Sequence, residues 1–258
     1  MGTSHLIKNK TILKRGLSLL FVSMTTFTLG YGQDYKASFF GCKSDGMTNN
    51  TSSIQFAIDY ISENGGGKLN FYVGRYLTGG IELKSNVTIE LHEGAVLVAS
   101  PNINDYLLFG NIRALLYGKD VSNVSIIGKG VVEAQPDEYF KLIHQLRSSN
   151  ILSAEYLDNT PSLLSLVNCK NIKINGVIFQ HSLKYAQVYF NCKNVTLDSL
   201  TFTKNSLKDG PLIVFHHTTG ISLNSIFIET IGEAIVKDQG SSVKEIKNCI
   251  TSEGKPVL

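Results

Sequence analysis

The chain has 258 residues, with 24 Lys and Arg against 21 Asp and Glu and 43% apolar side chains. Four of those cations (Lys8, Lys10, Lys14 and Arg15) fall in the first 32 residues with no acid beside them, leaving 20 against 21 in the remainder. That near-neutral remainder argues against nucleic acid or an anionic membrane as partner, and about 226 residues suffice for one domain with a full core.

In chain order, the four cations form a basic leader. The apolar run LSLLFVSMTTFTLG comes after it, and Gly30-Tyr31-Gly32 supplies a small-x-small cleavage position before Gln33. This pattern predicts an export signal over residues 1–32, removed from the mature chain and followed by a single domain over 33–258. The apolar run, about 14 residues, is shorter than the ~20 that span a bilayer, and Ser and Thr dilute it. No Cys stands at the cleavage point, so no lipid anchor is expected.

Thr51-Ser52-Ser53 is an N-cap cluster, and Ile54, Ala57, Ile58 and Ile61 continue at helical spacing up to Asn64 and three glycines. This predicts one amphipathic helix over 52–63 that plugs the open end of a strand-rich stack. Strand-like runs come next: KLNFYV, YLTGGIEL, NVTIEL, AVLVAS and NVSIIGKGVVEA. Residues 136–160 break the pattern with a helix-like run and no turn punctuation, read as an excursion beside the substrate face. The strand pattern resumes at Pro161.

From there the chain repeats itself. NCKNIKINGVIF at Asn168 returns as NCKNVTLDSLTF at Asn191, a looser copy starts at His217, and SSVKEIKNCI begins at Ser241. Units of 22 to 26 residues cannot bury their own apolar faces and must stack. Short β-branched strands at that period, with no helical period between them, predict an all-β chain: a right-handed parallel β-helix with a short N-terminal capping α-helix. Cys169 and Cys192 hold the same place in successive coils, which predicts an inward row of free thiols; a disulfide between adjacent strands, about 4.8 Å apart, is strained. No Cys or His spacing forms a zinc site, no metal is expected, and no motif calls for a cofactor.

The segment from Phe40 to Ser100 carries FG-K-DG, the helix, a Gly-rich turn, G-Y-LTG and LKSNVT-I-L-EGA-L. With NVSIIGKGVVEAQ and the paired NC-NV coils, it resembles the polygalacturonase-type glycoside hydrolases of the pectate-lyase-like β-helix superfamily. The resemblance covers nearly all of the chain after residue 32. It implies an inverting hydrolase of acidic plant polysaccharide, with one carboxyl protonating the leaving oxygen and others activating water. In that family an NTDG motif gives one aspartate, an Asp-Asp pair in the next coil gives two, and GHG and R-I-K motifs complete the site.

This chain departs from the pattern. Asp209-Gly210 matches the end of NTDG, but Leu207 and Lys208 replace its Asn and Thr. A 22-residue offset, taken from Ile221 to Val243, puts Ile231 and Gly232 where the pair should stand. Glu233 lies next to them, and a one-residue bulge would bring it into line. Neither GHG nor R-I-K is present.

Asp209 and Glu233 are therefore the candidate catalytic carboxylates, each also readable as ordinary turn or surface. The candidate substrate-binding residues are Tyr189, Gln187, Lys237, His216 and His217. His217 takes the place of Asn191 in an asparagine-like ladder, and His216 lines up with Phe190 and Asp238. Val188, Val214 and Val236 align and read as inward, which would turn the rows of Tyr189 and Gln187 outward. Leu164 and Leu166 fall in those same rows and leave the facing open.

Three readings are open. The chain is an exported β-helix that binds or slowly cleaves a pectin-like polysaccharide or oligosaccharide. It is a non-catalytic accessory that binds a glycan or another protein. Or it is a uronate lyase with Lys237 or Lys208 as base.

Overall fold

The computed structural model describes residues 33–149, 153, 159–203, 205–206 and 210–258. The predicted export signal, its cleavage position and Asp209 lie outside the described residues. β1 (Gln33–Lys36) opens the described chain and α1 (Thr51–Glu63) comes after it. Ile54, Ala57, Ile58 and Ile61 form the buried face of α1, as their spacing predicts.

Then the chain winds in coils of three strands. They are β2 (Gly67–Phe71), β3 (Gly74–Thr78) and β4 (Ile81–Glu82), then β5 (Val87–Leu91), β6 (Ala95–Ala99) and β7 (Ala114–Lys119). β8 (Ser122–Gly128) and β9 (Val131–Glu133) precede α2 (Pro136–Ser148), and β10 (Ser162–Val167) completes that coil. β11 (Lys170–Asn175), β12 (Ile178–Gln180) and β13 (Gln187–Phe190) make the next. β14 (Lys193–Asp198), β15 (Thr201–Thr203) and β16 (Ile213–His216) make another. The chain ends through β17 (Thr219–Asn224), β18 (Phe227–Ile228), β19 (Ile235–Lys237), β20 (Ser242–Lys247) and β21 (Ile250–Thr251).

Every named strand pairs in parallel with its counterparts one coil away, giving three sheets. Sheet A is β1-β2-β5-β8-β11-β14-β17-β20, sheet B is β3-β6-β9-β12-β15-β18-β21, and sheet C is β4-β7-β10-β13-β16-β19. This is the right-handed parallel β-helix that the repeat predicts, with α1 packed beside its first strands.

Parallel pairing stacks like side chains in rows along the interior. In sheet A the row is Leu69, Ile89, Ile126, Ile174, Leu197 and Leu223. In sheet B Phe179 and Phe202 stack with ring centroids 5.3 Å apart. The corners are held by residues at positive φ. Asn86, Asn123, Asn171 and Asn194 take φ of 56–63°, and each amide bonds to the next along the outside, as in Asn171 Nδ2 to Asn123 Oδ1 at 3.0 Å. Asn side chains tolerate this left-handed conformation better than other non-glycine residues.

Cys169 and Cys192 occupy neighbouring inward positions, both fully buried and unbridged. Their row continues as Thr218 and Ser241, whose hydroxyls bond backbone at the same corner.

The facing that the sequence leaves open is decided by the structure in favour of Leu164 and Leu166. Tyr189, Gln187, Phe215 and Ile213 are fully buried, while Val188, Val214 and Val236 form the outer row. The alternation holds its register and takes the phase of Leu164 and Leu166, and a one-residue change of phase would flip every side chain. The larger groups win the interior because Tyr and Phe remove more apolar area from water than Val. Tyr189 stacks on Phe215 at 5.0 Å and donates its hydroxyl to Gln187 Oε1 at 2.9 Å.

Candidate functional site

The connections between sheets are unequal, and that inequality marks a candidate site. Links from C to A and from A to B are short turns throughout. Links from B to C run over 79–80, 100–113, 134–161, 181–186, 204–212 and 229–234. All the long excursions, α2 included, therefore enter sheet C from one corner. Long loops on a rigid scaffold are where binding and catalysis concentrate. The excursion expected beside the substrate face is on this corner, pinned to the core by Tyr139 and Ile143.

Side chains at the entry edge of sheet C fall into two rows. Backbone bonds from Leu164 to Ala186, Ala186 to Leu212 and Leu212 to Ala234 set the register. Tyr185, Pro211 and Glu233 thus share one row with Ser162, and Lys184, Gly210 and Gly232 share the next with Pro161 and Arg113. At about 4.8 Å per strand, Tyr185 and Glu233 stand roughly 10 Å apart along the stack.

The offset between β16 and β19 is the expected 22 residues, with Ile213 opposite Ile235. Gly232 is therefore level with Gly210. Among the described residues the register irregularity lies between β17 and β20, in sheet A, and Asp209, against which a bulge would bring Glu233 into line, lies outside them. Glu233 is exposed beside a hollow of about 520 Å³ shared with Lys237, Glu253 and Lys255.

The other predicted residues separate. Tyr189 and Gln187 are inside the coil and do not reach a ligand on the surface. Lys237 lies in the row of Tyr189 and Phe215 but reaches solvent, because β19 is the edge strand of sheet C. His216 and His217 are exposed at the opposite, exit edge of that sheet, beside Phe190, whose ring centroid is 6.0 Å from His216. His217 Nδ1 is 3.0 Å from Asp238 Oδ2, and the His217 backbone N–H bonds both oxygens of the same carboxylate. The Ser241 hydroxyl, the His217 N–H and the two imidazoles hold the Asp238 carboxyl below the usual carboxylate range. His217 has φ 48°, the conformation of Asn191 below it, so it closes the asparagine row as its position predicts.

Residues with no prominent sequence signal fill the entry edge. Arg113, Asn159, Ser162, Ser165, Lys184 and Tyr185 surround a cavity of about 180 Å³ on the outer face of sheet C. The 26-residue offset between β13 and β16, with Gln187 opposite Ile213, added to the 22 of the next coil, places Tyr185 and Lys184 in the rows of Glu233 and Gly232. Arg113 has no such signal, since it stands in an irregular connection. Among the described residues no group of three or more His, Cys, Asp or Glu is arranged to hold a metal.

The comparisons agree with this architecture. The sequence profile of glycosyl hydrolases family 28 matches residues 68–252. A probable polygalacturonase of Vitis vinifera is 25% identical over 180 residues, covering 63% of this chain and 35% of its own. An exo-poly-alpha-D-galacturonosidase of Dickeya chrysanthemi is 25% identical over 254 residues, covering 80% of this chain and 42% of its own. The chain thus spans well under half the length of either relative. A crystal structure from Parabacteroides merdae, with a provisional glycosyl hydrolase assignment, superposes with a TM-score of 0.81 at 38% identity, covering 88% of this chain and 99% of that one. With a profile match over most of its length laid on a three-sheet parallel coil, this chain belongs to glycosyl hydrolases family 28.

Proposed function

We propose that this family member is exported and binds acidic, pectin-like polysaccharide or its oligomers along the outer face of sheet C, hydrolysing them far more slowly than a member with the full carboxylate set. The substrate class is supported by the polygalacturonate-acting names of the two curated relatives and by the cations Arg113 and Lys184 at the entry edge. Export is supported by the basic and apolar leader before Gln33.

One observation supports the weak hydrolysis: β16 and β19 pair at a 22-residue offset, the same offset by which the sequence aligns Ile231 and Gly232 with the family's paired aspartates. Inverting hydrolysis needs one carboxyl to protonate the leaving oxygen and another to activate water, contributions each typically worth 10²–10⁴-fold. Binding needs neither, so the same observation favours an accessory, binding role over turnover. Glu233 is a carboxylate exposed at that edge.

The test is reducing-end release from polygalacturonate and branched pectin fragments, alongside calorimetric binding of the same sugars. Binding with turnover at least about a hundredfold below an intact family member is expected. Brisk turnover abolished by Asp209→Asn and by Glu233→Gln would show a remodelled pair at work. Absence of both binding and turnover would remove pectin as the ligand.

A further inference from the structure

The first and last coils are closed differently. At the first, α1 buries Ile54, Ala57, Ile58 and Ile61 against the opening strands. At the last, the segment Lys255–Leu258 covers two sheets of the three. Pro256 bridges Ile250 of β21 in antiparallel sense, and the Ile235 N–H of β19 donates to the Val257 carbonyl at 3.2 Å. Val257 is buried there. β20 is left as the edge of sheet A, and among the described residues no strand pairs with its far side. The inward row of sheet A, buried from Leu69 to Leu223, therefore ends in Ile246 at 43% exposed.

An open edge offers its N–H and C=O groups to any extended segment, and its side chains decide which segment fits. β20 reads Ser242-Val243-Lys244-Glu245-Ile246-Lys247. Val243 stands opposite Ile221 and Ile246 opposite Leu223, both of them inward positions, with the irregular step between. Lys244 and Glu245 fill that step, and both are exposed. The strand thus carries an apolar pair outside a charged pair, in an order that complements itself when reversed.

We infer that β20 pairs with β20 of a second copy of this chain, antiparallel about a two-fold axis between Lys244 and Glu245, joining two stacks end to end through sheet A. In that register Val243 faces Ile246 of the second copy and Lys244 faces its Glu245, each pair occurring twice. A shift of one residue in one direction sets Lys244 against Lys244 on the axis and Val243 against Glu245. The opposite shift sets Glu245 against Glu245 and Val243 against Lys247. Like charges directly opposite are destabilising and opposite charges favourable, so the charges select the one register that also matches the apolar pair. Lysine on an edge strand commonly discourages pairing, and here it discourages every neighbouring register. An isologous contact of this kind consumes the edge in both copies, so association closes at two.

Sedimentation velocity of the purified chain over a range of concentrations tests this, with Lys244→Glu, Glu245→Lys and the double exchange of the two. A reversible equilibrium between monomer and dimer is expected for the unaltered chain. Each single reversal sets like charges opposite each other twice across the axis and should weaken the dimer about tenfold or more. The double exchange restores opposite charges and should bring the dimer back. Backbone amide exchange over residues 242–247 of the unaltered chain should slow as concentration rises, which reads the edge without any substitution. A chain that stays monomeric at every concentration overturns the inference, as does a dimer in which exchange over 242–247 is unchanged. A dimer that neither reversal weakens, or that the double exchange fails to restore, overturns the register and with it the pairing of β20 with itself. None of these outcomes depends on a sugar, so the proposed function stands or falls separately.

Discussion

Asp45 accepts hydrogen bonds from the backbone N–H groups of Met47 and Thr48 and from the Thr48 hydroxyl. Those bonds favour its charged form and draw its pKa from 3.8 down to about 2. A carboxyl lowered on folding contributes stability that is present above its unfolded value and lost as pH falls through the folded one. Urea midpoints of the wild type and Asp45→Asn should therefore differ most above pH 3.8 and converge toward about pH 2. A constant gap across that range would assign the Asp45 contribution to something other than its charge. At this scale the sequence is most easily misread. Val188, Val214 and Val236 look like core residues by type, but period-two alternation has two phases, and Leu164 with Leu166 carry the deciding information.

Among elements, the corner ladder stands out as a device the sequence displays openly, since NCKN and its variants recur at the coil period. Asn171 receives at Oδ1 from Asn194 and donates from Nδ2 to Asn123, all at φ near +56°. Asn171→Ala loses both bonds and places a Cβ residue with no local hydrogen bonding in the left-handed region, at a cost of about 2–3 kcal/mol. Asn171→Gly keeps the backbone at ease and should cost about 1 kcal/mol. Equilibrium unfolding of the two variants measures the gap, and equal losses would mean that the ladder bonds alone matter. The helix α1 is legible within one residue, Thr51–Glu63 against 52–63, because apolar spacing and a polar stop coincide. The entry-edge cavity is not. Its walls come from connections with no period, and only the sheet register brings them together.

The described residues form a stack in which each coil touches chiefly its neighbours, so opening is expected to proceed by coils. Its four cysteines report on three places: Cys42 by the cap, Cys169 with Cys192 in the middle, and Cys249 in the final coil. Burial pushes the Cys42 thiol up to about 11 and keeps it unreactive in the native state. Alkylation followed by mass spectrometry should find no reaction in buffer and four labelled thiols in strong denaturant. At intermediate urea Cys249, beside the largely exposed β20, should label before Cys169 and Cys192. A Cys169–Cys192 disulfide peptide in unreduced protein would contradict the free pair. The fold is legible at this scale because one repeat, seen several times over, specifies all of it.

The uneven corner has a further consequence. In this architecture every residue has an address of two independent numbers, its height given by the coil and its bearing by the sheet. Adding residues between Thr203 and Ile213 changes neither number for anything downstream, since β16 still locks onto β13 residue for residue. Removing one residue inside β13 would instead rotate Tyr189 outward and Val188 inward. Tolerance to insertion is thus confined to a single vertical seam, the one that also carries Arg113, Lys184 and Glu233. New loops can be grafted into that seam one storey at a time, and the floors above and below will keep their alignment.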